Sequence, residues 1–204
     1  SELQRAFQEG FPFDATAVPG LESADDDLLL VPDPSTFSIL PWRPDTGRVI
    51  RLSCNLFNRD MTPFELDSRY LLKQATAAAR KAGVTCNMGV NCEFYLFRTD
   101  ENGNPTETPL DNAGYFDIAP EDKGENIRRE ICLSLESMGI CPESSHHEEG
   151  PGQNEIDFKY SDPLSSADNV TAFKVAVTTL AARNGLYASF APKPIPDKNG
   201  NGFH

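Results

Sequence analysis

A chain of 204 residues with 39% hydrophobic and 24% charged side chains has the composition of a globular protein of one or two modest domains, with enough apolar surface for a core. Its formal net charge of -13 and pI near 4.6 argue against nucleic acid or an anionic membrane as partner, because a phosphate backbone is bound through clustered Lys and Arg that this chain does not show. No apolar run approaches the roughly 18 residues that span a bilayer, the start has no apolar signal core, and five scattered cysteines without a C-x-x-C pair fit neither a disulfide framework nor a zinc site, so a reducing cytoplasm is expected.

Two compositional zones meet between Glu65 and Ser68, which predicts domains over 1–66 and 67–204. The first zone is rich in Pro and Asp, with short β-prone runs at 27–31, 37–40 and 49–57; in the last, Leu52, Cys54 and Leu56 alternate with Arg51, Ser53 and Asn55. These runs predict a small sheet with no helix to cover it. A zone this short buries little apolar surface alone, so it is expected to lean on a larger neighbour or another subunit.

From Asp67 onward helices alternate with strands. Asp67 or Ser68 can cap a helix running through Ala79 to a stop at Gly83. Ile127, Ile131, Leu135 and Met138 form an apolar stripe that stops at Gly139. Ser165 or Ser166 can cap a helix with Val170, Phe173, Val177 and Leu180 facing inward, ended by Gly185. Between these lie predicted strands over 91–97, 143–148, 154–160 and 186–191, so the fold class reads as α+β or α/β, with a β-rich start and a helix-backed sheet after it.

Candidate chemistry concentrates in 143–155, where the polar run Ser144-Ser145-His146-His147-Glu148-Glu149 enters a Gly150-Pro151-Gly152 turn and emerges as Gln153-Asn154-Glu155. This reads as a hairpin. A symmetric turn would set Glu148 opposite Glu155, side chains about 5 Å apart on one face. Facing carboxylates repel unless a cation lies between them, and Mg²⁺ or Mn²⁺ is the economical one, with His146 and His147 as flanking polar groups. A solvated hairpin with its acids turned to water suits the pattern too. In the strand before it, a period of two puts Asn91, Glu93, Tyr95 and Phe97 on one face, and Glu93 in so apolar a strand is a ligand candidate. The Asn199-Gly200-Asn201-Gly202 loop can present backbone N–H groups to an anion. The residues alone lead to a metal–carboxylate site of undetermined chemistry.

Taken in order, several segments together resemble the glutamine synthetase family, in its bacterial type I branch. They are Phe13-Asp14, Pro32-Asp33-Pro34, Glu93-Phe94-Tyr95-Leu96-Phe97, Gly114-Tyr115-Phe116-Asp117, His146-His147-Glu148, Pro151-Gly152-Gln153-Asn154-Glu155, Ala167-Asp168 with Phe173-Lys174, Pro192-Lys193-Pro194 and Gly200-Asn201-Gly202-Phe203-His204. The resemblance implies an α+β protein: a β-grasp-like domain over 1–66, then part of a catalytic domain over 67–204 with a curved antiparallel sheet backed by helices. It also implies a ring-stacked homo-oligomer, usually a dodecamer. The implied reaction is ATP-dependent ligation of glutamate and ammonia to glutamine through a γ-glutamyl phosphate.

By the same resemblance, Glu93, Glu148 and Glu155 match ligands of a first metal, and His204 and the Asn91 position match a second, with Mg²⁺ or Mn²⁺ as the ion. Glu143 and Tyr160 match nucleotide contacts, and Asn199 and Gly200 fall in the glutamate-binding loop. Asp14 matches an aspartate that reaches a neighbouring subunit's site to bind ammonium and take its proton, and Tyr115 a tyrosine of the ammonium pocket. The family pattern has a carboxylate where this chain has the neutral Asn91, and Gly-Ser-Ser where it has Ala15-Thr16-Ala17. A complete family member also begins earlier and continues beyond the position of His204.

Overall fold

A strand turns successive side chains to opposite faces. In the longest strand of this protein, that alternation separates apolar Val90, Cys92, Phe94 and Leu96 from Asn91, Glu93, Tyr95 and Phe97. The apolar row is covered by helices, which leaves the other row for chemistry. The computed structural model describes residues 2–21 and 27–204, and the chain divides into two compact units: Ser1–Leu40 with Gly47–Cys86, and Pro41–Thr46 with Asn87–His204.

The first unit contains helix α1 (Glu2–Glu9), strands β1 (Phe11–Phe13), β2 (Leu28–Pro32), β3 (Ser38–Ile39), β4 (Ile50–Arg51) and β5 (Cys54–Phe57), and helix α2 (Ser68–Lys81). Strands β1, β2 and β5 form an antiparallel sheet in that order, and β3 and β4 form a separate ribbon. The run at 49–57, expected as one strand, is two. Ser53 interrupts it: its carbonyl accepts from Asp33 N (2.8 Å) and its N–H donates to Thr36 Oγ1 (2.8 Å), tying the backbone to the 3-10 turn Pro34–Thr36.

The expectation of a sheet without a helix is also corrected, because α1 packs beside β2. Its eight residues, ELQRAFQE, offer only Leu3, Ala6 and Phe7 as an apolar row, too short a stretch for periodicity to mark a helix. Helix α2 starts at its predicted cap: Asp67 accepts from Arg69 N (3.1 Å) through one oxygen and from Leu56 N (3.1 Å) through the other. Arg69 then reaches Asp33 (3.1 Å), and Lys73 reaches Asn55 (2.7 Å).

The second unit holds β6 (Met88–Thr99), β7 (Pro105–Pro109), α3 (Glu125–Ser137), β8 (Pro142–His147), β9 (Gln153–Ser161), α4 (Pro163–Arg183) and β10 (Leu186–Ser189). The sheet order is β10-β6-β9-β8, all antiparallel, with β7 continuing along β6 past the end of β9. Helices α3 and α4 lay Ile127, Ile131, Leu135, Phe173, Val177 and Leu180 on one side of the sheet. The cap of α4 differs from expectation. Asp162 accepts from Leu164 N and Ser165 N, with Pro163 at the first helical position, while Ser166 donates to Met88 O (2.5 Å) instead. No described helix is long and apolar enough to cross a membrane, and no disulfide joins the described cysteines.

Phe173 is fully buried, with ring centroids 6.0 Å from Phe94, 5.7 Å from Phe158 and 5.9 Å from Phe190. Phe173→Ala is expected to destabilise this unit by about 3–5 kcal/mol, read as a lower urea midpoint with an unchanged slope.

Candidate metal centre

On the face of the sheet turned away from the helices, β6 and β9 are registered so that Glu93 is paired with Glu155 and Asn91 with Asp157. Across β9, Glu155 is paired with His146. The symmetric hairpin expected from the sequence is therefore corrected: Glu148 is not opposite Glu155 but lies just past β8, in the tip that links the strands. Its side chain nonetheless returns to the same place. His146 Nε2 is 2.8 Å from Glu148 Oε1 and 3.3 Å from Glu155 Oε2, and ligand atoms of these three residues all lie within 4.8 Å of one another. His146, expected to flank the site, is inside it. His147 points to the other side of the hairpin and is fully buried.

The tip's tight shape requires glycine. Gly152 has φ +68°, and a Cβ there would stand 2.7 Å from Leu96 O; at Gly150 a Cβ would fall 1.9 Å from the Tyr95 hydroxyl oxygen. Tyr95 donates that hydroxyl to Asn199 O (2.6 Å), so one side chain joins the middle of β6 to the last loop.

Gln153 organises the rest. Its Nε2 donates to Glu93 Oε2 (2.8 Å) and Gly200 O (2.9 Å), while its Oε1 accepts from Gly150 N (3.0 Å). Glu93 Oε2 also accepts from Gly202 N (2.8 Å). Below β10, the chain end takes up the same edge of β6: Asn91 N donates to His204 O (2.9 Å) and His204 N to Asn91 O (3.1 Å). A Cβ on Gly202 would meet Glu93 Oε1 at 2.7 Å and His204 Nε2 at 2.8 Å, which puts those two side-chain atoms around one glycine.

The structure thus brings Glu93, Glu148, Glu155, Asn91 and His204 onto one face and its edge. Asn199 and Gly200 adjoin them, with Asn199 Nδ2 also donating to Glu149. Tyr115 and Phe116 pack on the His146 ring, Phe116 stacked at 4.5 Å and Tyr115 edge-on at 5.7 Å; Phe116 adopts φ +59°, a strained value for a bulky residue. Glu143 and Tyr160 are exposed, Glu143 within a bulge of β8 and Tyr160 near the end of β9, outside the carboxylate cluster. Asp14 belongs to the first unit, where it is exposed and accepts from Thr16 N (3.0 Å) and the Thr16 hydroxyl (2.6 Å), a bond that lowers its pKa.

Gln153 had a legible signal, since it lies two residues before Glu155 and shares its strand face. The strand's period was enough to place it. Asp111 had none, because its contacts with His147 and Gly152 span 36 and 41 residues.

Glu155 decides whether these residues fit a divalent cation. Burial, then its contacts with Glu148 and Asp157, push its carboxyl pKa up to about 8. Two like charges 4 Å apart at an effective dielectric near 20 repel by about 4 kcal/mol. Carboxylates so placed fit a hard cation that accepts oxygen ligands, and one oxygen of Asp157 is buried without a hydrogen-bond partner beside them.

A folded-state pKa raised above the usual 4.5 stabilises the protein below that value and loses the contribution as pH rises toward about 8. The metal-free protein is therefore expected to lose stability between pH 5 and 8, and Glu155→Gln to flatten that loss. Thermal unfolding across the range, with EDTA present, reads both.

Models of two protein families match the chain: "Glutamine synthetase, beta-Grasp domain" over residues 1–59 and "Glutamine synthetase, catalytic domain" over residues 65–204. Among curated relatives, the glutamine synthetase of Clostridium saccharobutylicum is 50% identical over the whole chain, and that of Methanosarcina mazei 47%. The chain spans about half the length of these relatives, 46% in each case. Among solved structures, apo GmaS superposes with a TM-score of 0.86 at 31% identity, over 98% of this chain and 47% of that one. The Plasmodium falciparum glutamine synthetase superposes with a TM-score of 0.85 at 24% identity, over 98% and 44%, and shares the fold. With two family models in sequence order over nearly its whole length, a β-grasp domain followed by catalytic-domain sheet and helices, this chain belongs to the glutamine synthetase family.

Proposed function

We propose that the protein carrying this chain is a glutamate–ammonia ligase, which makes glutamine from glutamate, ammonia and ATP through a γ-glutamyl phosphate. The observation that supports it best is the convergence of Glu93, Glu148, Glu155 and His146 on one sheet face, in a chain half identical to a glutamine synthetase. In this reading 1–66 and 67–204 are parts of the β-grasp and catalytic domains, a division supported by the order of the family matches over 1–59 and 65–204.

Glu93, Glu148 and Glu155 would hold one Mg²⁺ or Mn²⁺, and His204 with the Asn91 side-chain amide oxygen a second. When bound, such ions neutralise the oxygens of the phosphate and of the reacting carboxylate. The residues themselves supply orientation. Gln153 couples Glu93 to the Asn199–Gly200 loop, where glutamate would sit, so ligand and loop keep one spacing. Tyr115, against the His146 ring, would line the ammonium pocket. Glu143 and Tyr160, exposed along the same hairpin, would meet the nucleotide, with Tyr160 offering a ring face to adenine. Asp14, exposed in the first unit, would act at a neighbouring copy's site in a ring-stacked homo-oligomer, taking a proton from ammonium.

Full-length protein with ATP, Mg²⁺, glutamate and ammonium is expected to release phosphate, and Glu148→Gln to slow release at least about a hundredfold. No turnover even with Mn²⁺ overturns the reading. Polyamines in place of ammonium test a glutamate–amine ligase in the same assay.

Asn91 favours a second reading, a homologue that binds nucleotide without turnover, because a neutral oxygen stands on the rung that His204 joins. There ATP binds without phosphate release and Asn91→Glu raises metal affinity by about tenfold or more. Normal turnover by the unmodified protein excludes it.

A further inference from the structure

Behind the carboxylate cluster, on the far side of the hairpin, a second charged group lies inside the protein: Asp111 (7% exposed), Asp122 (3%), Arg128 (5%) and His147 (0%). Ligand atoms of Asp111, Asp122 and His147 are near enough to share an ion, but the set is closed by its own hydrogen bonds. Asp122 accepts from Arg128 through both oxygens (3.1 and 2.6 Å) and from Gly124 N (2.8 Å). His147 has its Nε2 2.9 Å from Asp111 Oδ1 and its Nδ1 2.6 Å from the carbonyl oxygen of Glu148. No ring nitrogen is left for a cation.

Asp111 is the node of this group. Its Oδ1 accepts from Gly152 N (2.9 Å) and Ala113 N (3.3 Å) as well as meeting His147, and its Oδ2 accepts from Lys123 N (2.9 Å). It therefore grips both ends of the hairpin tip, Gly152 directly and Glu148 through His147. That tip lies beyond the β8–β9 ladder, with Glu148 N to Gln153 O (2.9 Å) the backbone bond that continues it. The Glu148 carboxylate at its start faces Glu155 across His146, and whenever both are ionised like charge drives the two apart. The far end of the tip is held further by Gln153 N to Gly150 O (2.9 Å) and Leu96 N to Gly152 O (2.8 Å), whereas at the Glu148 end the carbonyl is held through His147 alone, so outward relaxation of that end is what the buried anchor opposes.

We propose that Asp111 is a positioning residue for the cation site: by holding Gly152 N and, through His147, the Glu148 carbonyl, it keeps the Glu148 carboxylate within reach of Glu155 and His146. The inference rests on the metal reading of that site. Residues that orient a ligand from behind typically change metal affinity by about 10–100-fold when replaced, whereas a residue that serves stability alone changes unfolding and leaves the folded site intact.

The test is Mn²⁺ binding to the full-length protein, followed by the loss of the free-ion EPR signal at a temperature where circular dichroism shows each variant folded. Asp111→Asn is expected to weaken Mn²⁺ by about 10–100-fold. His147→Asn cuts the same link while keeping a donor toward the Glu148 carbonyl, so it serves if Asp111→Asn does not fold. The double variant should be no worse than the Asp111 variant alone, because the His147 link already runs through Asp111. If the folded variants bind Mn²⁺ within about twofold of the unmodified protein and lose thermal stability alone, the positioning role is overturned. Glu148→Gln separates the two claims. Should it leave Mn²⁺ affinity unchanged, or the unmodified protein bind none, the metal reading fails and this inference with it; should it abolish binding while Asp111→Asn does not weaken it, the positioning role alone fails.

Discussion

The arrangement depends on one electrostatic constraint: several carboxylates must be held close together on a sheet that is apolar on its other side. Glu93 and Glu155 are paired across β6 and β9, Glu148 comes in from the hairpin tip, and Asp157 follows one rung along. Nothing in the local chain favours such crowding. It persists because the backbone positions are set by the hydrogen-bond ladder of the sheet and by the packing of Phe94, Ile156 and Phe158 against α3 and α4, which is far larger in total than the repulsion of one pair. The raised pKa of Glu155 is the local trace of that conflict.

The surrounding polar residues act on this constraint by fixing geometry. Gln153 spends its amide on Glu93, the last loop and the turn, and Tyr95 ties its hydroxyl to Asn199. Glycine at positions 150 and 152 lets the hairpin pass closer to Tyr95 and Leu96 than any side chain would allow. The result is a face on which acids converge while nearly every neighbouring donor is already committed, so a bound cation would find its ligands oriented beforehand.

Much of the fold was readable because its signals are local. The inward stripes of α3 and α4, the alternation in β6 and the caps of α2 are properties of adjacent residues, and the structure follows them. The readings that failed were those in which a distant partner overrode a local pattern. Ser53 breaks an apparently continuous strand because Asp33 and Thr36 claim its backbone. Ser166 leaves the capping role to Asp162 because the carbonyl of Met88 lies beside it. Helix α1 escaped the pattern because eight residues are too few to display a helical period. In the candidate site, the acids were legible as residue types on a strand face, but the offset that pairs Glu155 with His146 was not, since a hairpin's register is set by the conformation of its turn.

By itself the sequence determined that this is an acidic α+β chain whose segments fall in the order of a glutamine synthetase, with Glu93, Glu148 and Glu155 as its candidate ligands. Spacing and periodicity suffice for that, being properties of the chain along its length. The tertiary structure alone decided that His146 enters the cluster, that His147 turns to the opposite side, and that Asp111 reaches the hairpin tip from 36 and 41 residues away. Those relations come from closing β6, β8 and β9 into one sheet over a common core, and no local pattern records where two remote segments will meet once that core has formed.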